Sequence, residues 1–181
     1  MKNITKLILL TLSLSYSVAA LAQTTPNAAA SQSVELGLSN AIELTFPSGN
    51  ATQSASINTI GDLLNGVELP DTDVKVRSNK PFKVDVASAS NDFTYVGGAL
   101  LAPLLNVSNV VRIKVSNNET GGQATGGWVF LNSLSTTPVT VINNCDPGDD
   151  QTFSIRYKMI PGLTLPSGTY TIDMVLTATQ L

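Results

Sequence analysis

Apolar side chains recur at every second position along most of this chain. Val34, Leu36 and Leu38 alternate with Ser33, Glu35, Gly37 and Ser39, and the phase runs on through Ile42, Leu44 and Phe46. Pro47-Ser48-Gly49-Asn50 then halts it with turn residues. Val74 and Val76, then Phe82, Val84 and Val86, flank Ser78-Asn79-Lys80-Pro81 and predict two strands joined as a hairpin. The pattern returns at Val111, Ile113 and Val115, more briefly at Val139 and Val141, and again at Phe153, Ile155, Tyr157 and Met159. A last run sets Tyr170, Ile172, Met174 and Leu176 on one phase, with Val175 as the exception. Successive side chains of a strand point to opposite faces, so a period of two means one covered face and one wet face.

Sheets of this kind must bury their apolar faces against each other. The expected fold is therefore all-β: a two-sheet antiparallel β-sandwich, immunoglobulin-like, of about 7–9 strands. A closed barrel uses the same alternation. The long and uneven connections, such as 87–109, suit a sandwich better. Ile57, Ile60, Leu63 and Leu64 break the period and predict one short helical turn near 57–65, limited by Gly61 and Gly66, as a plug over one end of the sandwich. The glycine-rich stretch 121–127 is expected to be a mobile loop. No internal repeat or second domain is visible, so 33–181 is expected to form a single domain.

The first residues have a different character. Lys2 and Lys6 precede an apolar run from Leu7 to Ala22 that closes on Ala20-Leu21-Ala22, the three parts of a secretory signal peptide over 1–22. The run is shorter than a transmembrane anchor and is interrupted by Ser13, Ser15 and Ser17. Residues 23–32 are small, polar and alanine-rich and are expected to be a flexible leader. The expectation is a secreted protein with no membrane span after cleavage, located in the periplasm, on the outer surface or outside the cell. Beyond Gln23 the chain keeps 8 basic and 13 acidic residues, a balance that argues against nucleic acid as a partner.

Catalytic side chains are scarce. With no histidine in the sequence, Ser-His-Asp and Cys-His chemistry is excluded, as are most zinc sites. A single cysteine, Cys145, forbids an internal disulfide and reads either as an intermolecular bridge or reactive thiol, or as a small buried hydrophobe. The acidic turn Asn143–Asp150 offers Asp146, Asp149 and Asp150 as weak calcium candidates, without the EF-hand order. Nothing in the spacing of Glu35, Glu43, Asp62, Glu68, Asp85 and Asp173 marks the carboxylate pair of a glycosidase. The expectation is a non-enzyme without cofactor. Trp128 and Tyr95, with Phe93, are the aromatics available for a ligand face, each competing with a place in the core.

Asn65-Gly66-Val67 followed by 74–86 resembles small exported β-sandwich proteins of Gram-negative bacteria. Pro161-Gly162 and the closing Leu165-Pro166-Ser167-Gly168-Thr169-Tyr170-Thr171 are similar to the terminal strand of spore-coat-U and archaic-pilus subunit domains. The resemblance implies a surface or pilus-type structural protein with no enzyme site to carry over. Many such subunits carry a disulfide near their start, which this chain cannot make. Two functions are expected on these grounds. The first is a structural or interaction protein of the bacterial envelope, a filament-type subunit whose partners are other envelope proteins or copies of itself. The second is a module binding carbohydrate, cell-surface glycan or peptidoglycan. Val34, Leu36 and Leu38 are the candidates for strand exchange or edge pairing with a neighbour, the alternative being the first strand of their own sheet.

Overall fold

The computed structural model describes residues 32–49, 52–98, 104–130 and 137–181. The expected signal peptide, and the leader up to residue 31, lie outside the described residues. The chain divides into two units, Met1–Gly37 and Leu38–Leu181. In the first, the described residues 32–37 are exposed and belong to no strand or helix.

The second unit is all-β, with antiparallel sheets and two short helices. Its first sheet holds β1 (Ile42–Thr45), β3 (Thr72–Ser78), β10 (Gly148–Met159), β6 (Val111–Asn118) and β8 (Val129–Phe130) in that order. The short β2 (Val67–Glu68) pairs with the far end of β10. A second sheet has the order β12 (Met174–Gln180), β4 (Phe82–Ser88), β9 (Val139–Cys145), β7 (Gln123–Ala124). A two-stranded ribbon joins β5 (Thr94–Val96) to β11 (Thr169–Thr171).

The alternation becomes a core in the expected way. Val74 and Val76 on β3, Ile113 on β6, and Phe153 and Ile155 on β10 meet Phe82, Val84 and Val86 on β4 and Ile142 on β9 in one cluster, each 0–1% exposed. Each such side chain contributes about 1.5–3 kcal/mol by leaving water. The polar phases of the same strands form the outer faces.

Several expectations are corrected. The predicted hairpin of β3 and β4 does not form: β3 pairs with β1 and β10, whereas β4 pairs with β12 and β9. Ser78–Pro81 instead carries the chain from one layer to the other. Both strands still bury their apolar phase, because alternation is the same for neighbours within a sheet and neighbours across it. The first strand, expected over 33–46, is confined to Ile42–Thr45. Helix α1 (Ile60–Asn65) falls where expected, closed by a capping box in which Thr59 and Asp62 satisfy each other's backbone N–H groups. It buries none of its residues, with Ile60 69% and Leu64 55% exposed, so it is no plug. Helix α2 (Val107–Val110) was not visible in the period-two pattern. The glycine-rich stretch 121–127 contains β7, paired with β9, in place of the expected mobile loop.

Strand β9 departs furthest from its sequence pattern. Its ladder with β4 slips twice, and Phe82 pairs with Cys145 while Val84 pairs with Ile142. The extra residue between those pairs is accommodated at Asn143–Asn144, with Asn144 in the left-handed region at φ 53°. The bulge turns Ile142 and Cys145, three apart in sequence, toward the same interior.

Candidate functional site

Two surfaces of the second unit stand out, and the first is the free edge of its second sheet. The last strand, β12, pairs with β4 along its whole length, from Met174 opposite Ser88 to Gln180 opposite Phe82. Directly opposed residues share a face, so Met174, Leu176 and Ala178 stand on the core side with Ser88, Val86 and Val84. Those three residues of β4 are 0–2% exposed, while their partners on β12 are only half-buried. The difference follows from position: β4 has a strand on each side, and β12 has one. An edge strand keeps an unpaired row of N–H and C=O groups.

At the end of that edge, Gln180 Nε2 lies 2.9 Å from the Ala41 carbonyl, 2.9 Å from Asn79 Oδ1 and 3.0 Å from Ser78 Oγ. Asn79 in turn donates to the Ser39 carbonyl at 2.8 Å and accepts from the Ala41 N–H at 3.0 Å. Residues 39–41 are thereby held without a turn. Upstream of them Leu38 is 83% exposed, Leu36 80% and Val34 84%. Three large aliphatic side chains exposed within five residues that belong to no strand or helix form the kind of surface that marks an interaction site.

The second surface is the outer face of the six-stranded sheet. Two rows of side chains cross its strands in register. In one, Lys114 on β6 opposes Arg156 on β10. Arg156 Nε and Nη2 donate to the two oxygens of Asp71 at 2.7 and 2.8 Å. The Trp128 ring stands on the other flank, its centroid 4.6 Å from Lys114 Nζ and 6.0 Å from Lys158 Nζ. In the next row Arg112 opposes Lys158, which opposes Glu68. Glu68 lies 3.8 Å from Lys158 Nζ and 3.6 Å from Arg156 Nη1. The paired hydrogen bonds from Arg156 hold the Asp71 carboxyl below the usual carboxylate range.

The remaining candidates are dispersed. Tyr95 is half-buried and structural in its contacts: its hydroxyl donates to the Ser167 carbonyl at 2.9 Å and its ring packs 4.9 Å from Tyr170. Phe93 packs against the core. Asp146 and Asp149 are exposed, and Asp150 is drawn to Lys75 at 2.5 Å. The acidic stretch is no simple turn, since Gly148, Asp149 and Asp150 already belong to β10. Among the described residues no group of three potential ligating side chains gathers around a metal-sized space. Of the other carboxylates, Glu43 pairs with Arg77 at 3.3 Å, Asp62 caps α1, and the buried Asp85 pairs with Lys83 at 2.8 Å and accepts from Thr140 at 2.6 Å. Glu35 and Asp173 are exposed.

Cys145 is fully buried, and burial pushes its thiol above the ordinary value. It should therefore stay silent to a thiol-titrating disulfide reagent at pH 8 in the folded protein and react with one equivalent once guanidinium unfolds the chain. Rapid native-state labelling would contradict the packing described.

No protein-family model matches the chain, and no curated protein is significantly similar to it. The residues themselves therefore carry the functional argument.

Proposed function

We propose that this protein is an exported, non-enzymatic structural protein of the bacterial envelope that assembles with copies of itself by strand donation. In this reading, the segment 33–40 of one copy lies along the open edge of β12 in the next. Val34, Leu36 and Leu38 then cover Met174, Leu176 and Ala178 and complete a core that the single chain leaves half-closed. The observation that carries the reading is the coexistence of a donor and an acceptor in one chain: among the described residues, an exposed apolar alternation that belongs to no strand, and an edge strand that pairs on one side only and whose inward side chains stay half-buried. Strand addition supplies main-chain hydrogen bonds along the edge, while alternate side chains enter the groove. Full burial of three aliphatic side chains is worth about 5–9 kcal/mol before the cost of association. The signal-like start and the resemblance to pilus-type domains support the same setting.

Sedimentation of the protein at rising concentration tests the proposal. The intact chain should form a ladder of oligomers, and Leu36→Asp, which places a charge in the dry groove, should remain a folded monomer that unfolds cooperatively at the lower midpoint of an unfilled edge. A synthetic peptide of residues 33–40 should raise the midpoint of the Leu36→Asp chain by filling its empty edge. Persistence of oligomers in Leu36→Asp, or a monomeric intact chain throughout, would refute strand donation.

A further inference from the structure

The outer face of the six-stranded sheet has an arrangement that assembly does not require. Of the 8 basic residues beyond Gln23, six (Lys75, Arg77, Arg112, Lys114, Arg156 and Lys158) lie on β3, β6 and β10. They fall on the alternate positions that face away from the core. Two cross-strand pairs there join like charges, Lys114 with Arg156 and Arg112 with Lys158. Like charges directly opposite each other destabilise a sheet, and in a chain with a formal net charge of −3 such pairing is not a by-product of composition. The acids paired with Arg156 and Lys158 stand on one flank. Glu68 and Asp71 hold Arg156 and Lys158 from the β2–β3 side, and among the described residues Lys114 has no carboxylate within ion-pair distance. On its open flank Lys114 meets the half-buried Trp128 instead.

We propose that this face binds an acidic polysaccharide, a carboxylate-bearing glycan chain lying across β6. Carboxylates of the chain are neutralised by Lys114 together with Arg156 and Lys158, and a sugar ring packs against Trp128. Three features favour a glycan over other polyanions. The surface is a sheet face and not a concavity, so it suits a long chain with repeated weak contacts better than a small ligand. The indole adds an apolar surface of the kind that receives the C–H face of a sugar ring. The acidic remainder of the protein repels an extended polyanionic surface or duplex, whereas a single chain can thread along one face. The proposal is independent of strand donation and can be measured on the Leu36→Asp chain.

The probe is polygalacturonate, with dextran as the neutral comparison and phosphatidylglycerol vesicles as the lipid comparison, followed by affinity electrophoresis and calorimetry. The protein should bind polygalacturonate and not dextran, and binding should weaken as salt rises. Lys114→Met, which keeps the stem against the indole, should weaken binding about fivefold, and adding Lys158→Met should weaken it by about as much again. Trp128→Ala should also weaken binding, while Lys80→Met, located between β3 and β4, should leave it unchanged. Thermal midpoints of all variants separate a lost contact from a lost fold. Absence of binding, or equal binding by Lys114→Met and the parent with both folded, would overturn the proposal. Preference for vesicles over polygalacturonate would also overturn it and assign the face to lipid.

Discussion

Phe153→Ala is expected to cost about 3–5 kcal/mol of folding stability, the usual range for a large aromatic removed from a closed core. The side chain is fully buried on β10, opposite Val74 of β3 on one side and Asn118 of β6 on the other. It belongs to the cluster that joins the two sheets, so the space it leaves is walled by strands and cannot collapse without moving them. A domain of this size has a total stability of about 5–15 kcal/mol, so the variant should be marginal at 37 °C. Chemical denaturation of parent and variant measures the difference. Phe153→Leu should recover most of the loss, and Leu64→Ala on the exposed face of α1 should stay within about 0.5 kcal/mol of the parent. A small cost for Phe153→Ala would mean that the two sheets do not share one core.

The second large effect is expected at Gly66, which ends α1 and leads into β2. Its backbone sits at φ 79° and ψ 165°, a region that residues with a Cβ scarcely enter and that costs about 1–3 kcal/mol of strain. A Cβ placed there would also stand 2.6 Å from the Met159 carbonyl oxygen and 2.5 Å from Ile160 Cγ1. Backbone cannot yield as the end of a flexible side chain does, so Gly66→Ala should carry an overpacking cost of a further 1–3 kcal/mol or so. The damage should be local at first. Hydrogen exchange at the Leu69 amide, which donates to the Tyr157 carbonyl at 2.9 Å, should quicken more than exchange in β4. Gly126→Ala, at a glycine with nothing within 4 Å of the added carbon, should be neutral. Equal effects at the two glycines would contradict the geometry at Gly66.

The strands were legible because burial of one face imposes a period of two that no other structure imposes. Val74 to Val86 and Phe153 to Met159 show this at nearly every position. Which strand lies beside which was not legible, and the β3–β4 connection is the clearest case. Its short polar link suits a hairpin and equally suits a crossing between layers, and only the competition among all partners for β3 decides between them. The bulge at Asn143–Asn144 was not legible for a related reason, since an inserted residue reverses the phase; the burial of Cys145 was readable instead from the habit of free cysteine to pack inside. Among the functional candidates, Val34, Leu36 and Leu38 could be singled out by pattern, but the same alternation serves a buried strand, and their exposure is not written in it. The two cationic rows escaped notice because Arg112 and Lys114 lie far from Arg156 and Lys158 in sequence. Read separately, each pair looks like the ordinary wet side of a strand, and only the register of β6 against β10 places like charges face to face.

The strand order also bears on when this chain can fold. β10 lies between β3 and β6, so the first sheet stays divided until a late segment has been made. β4 likewise waits for β12, the last strand of all. Contacts between such distant parts of a chain make folding slow. A chain of this design therefore cannot complete either sheet before β10 and β12 are available, and until then the apolar faces of β3, β6 and β4 lack part of their cover.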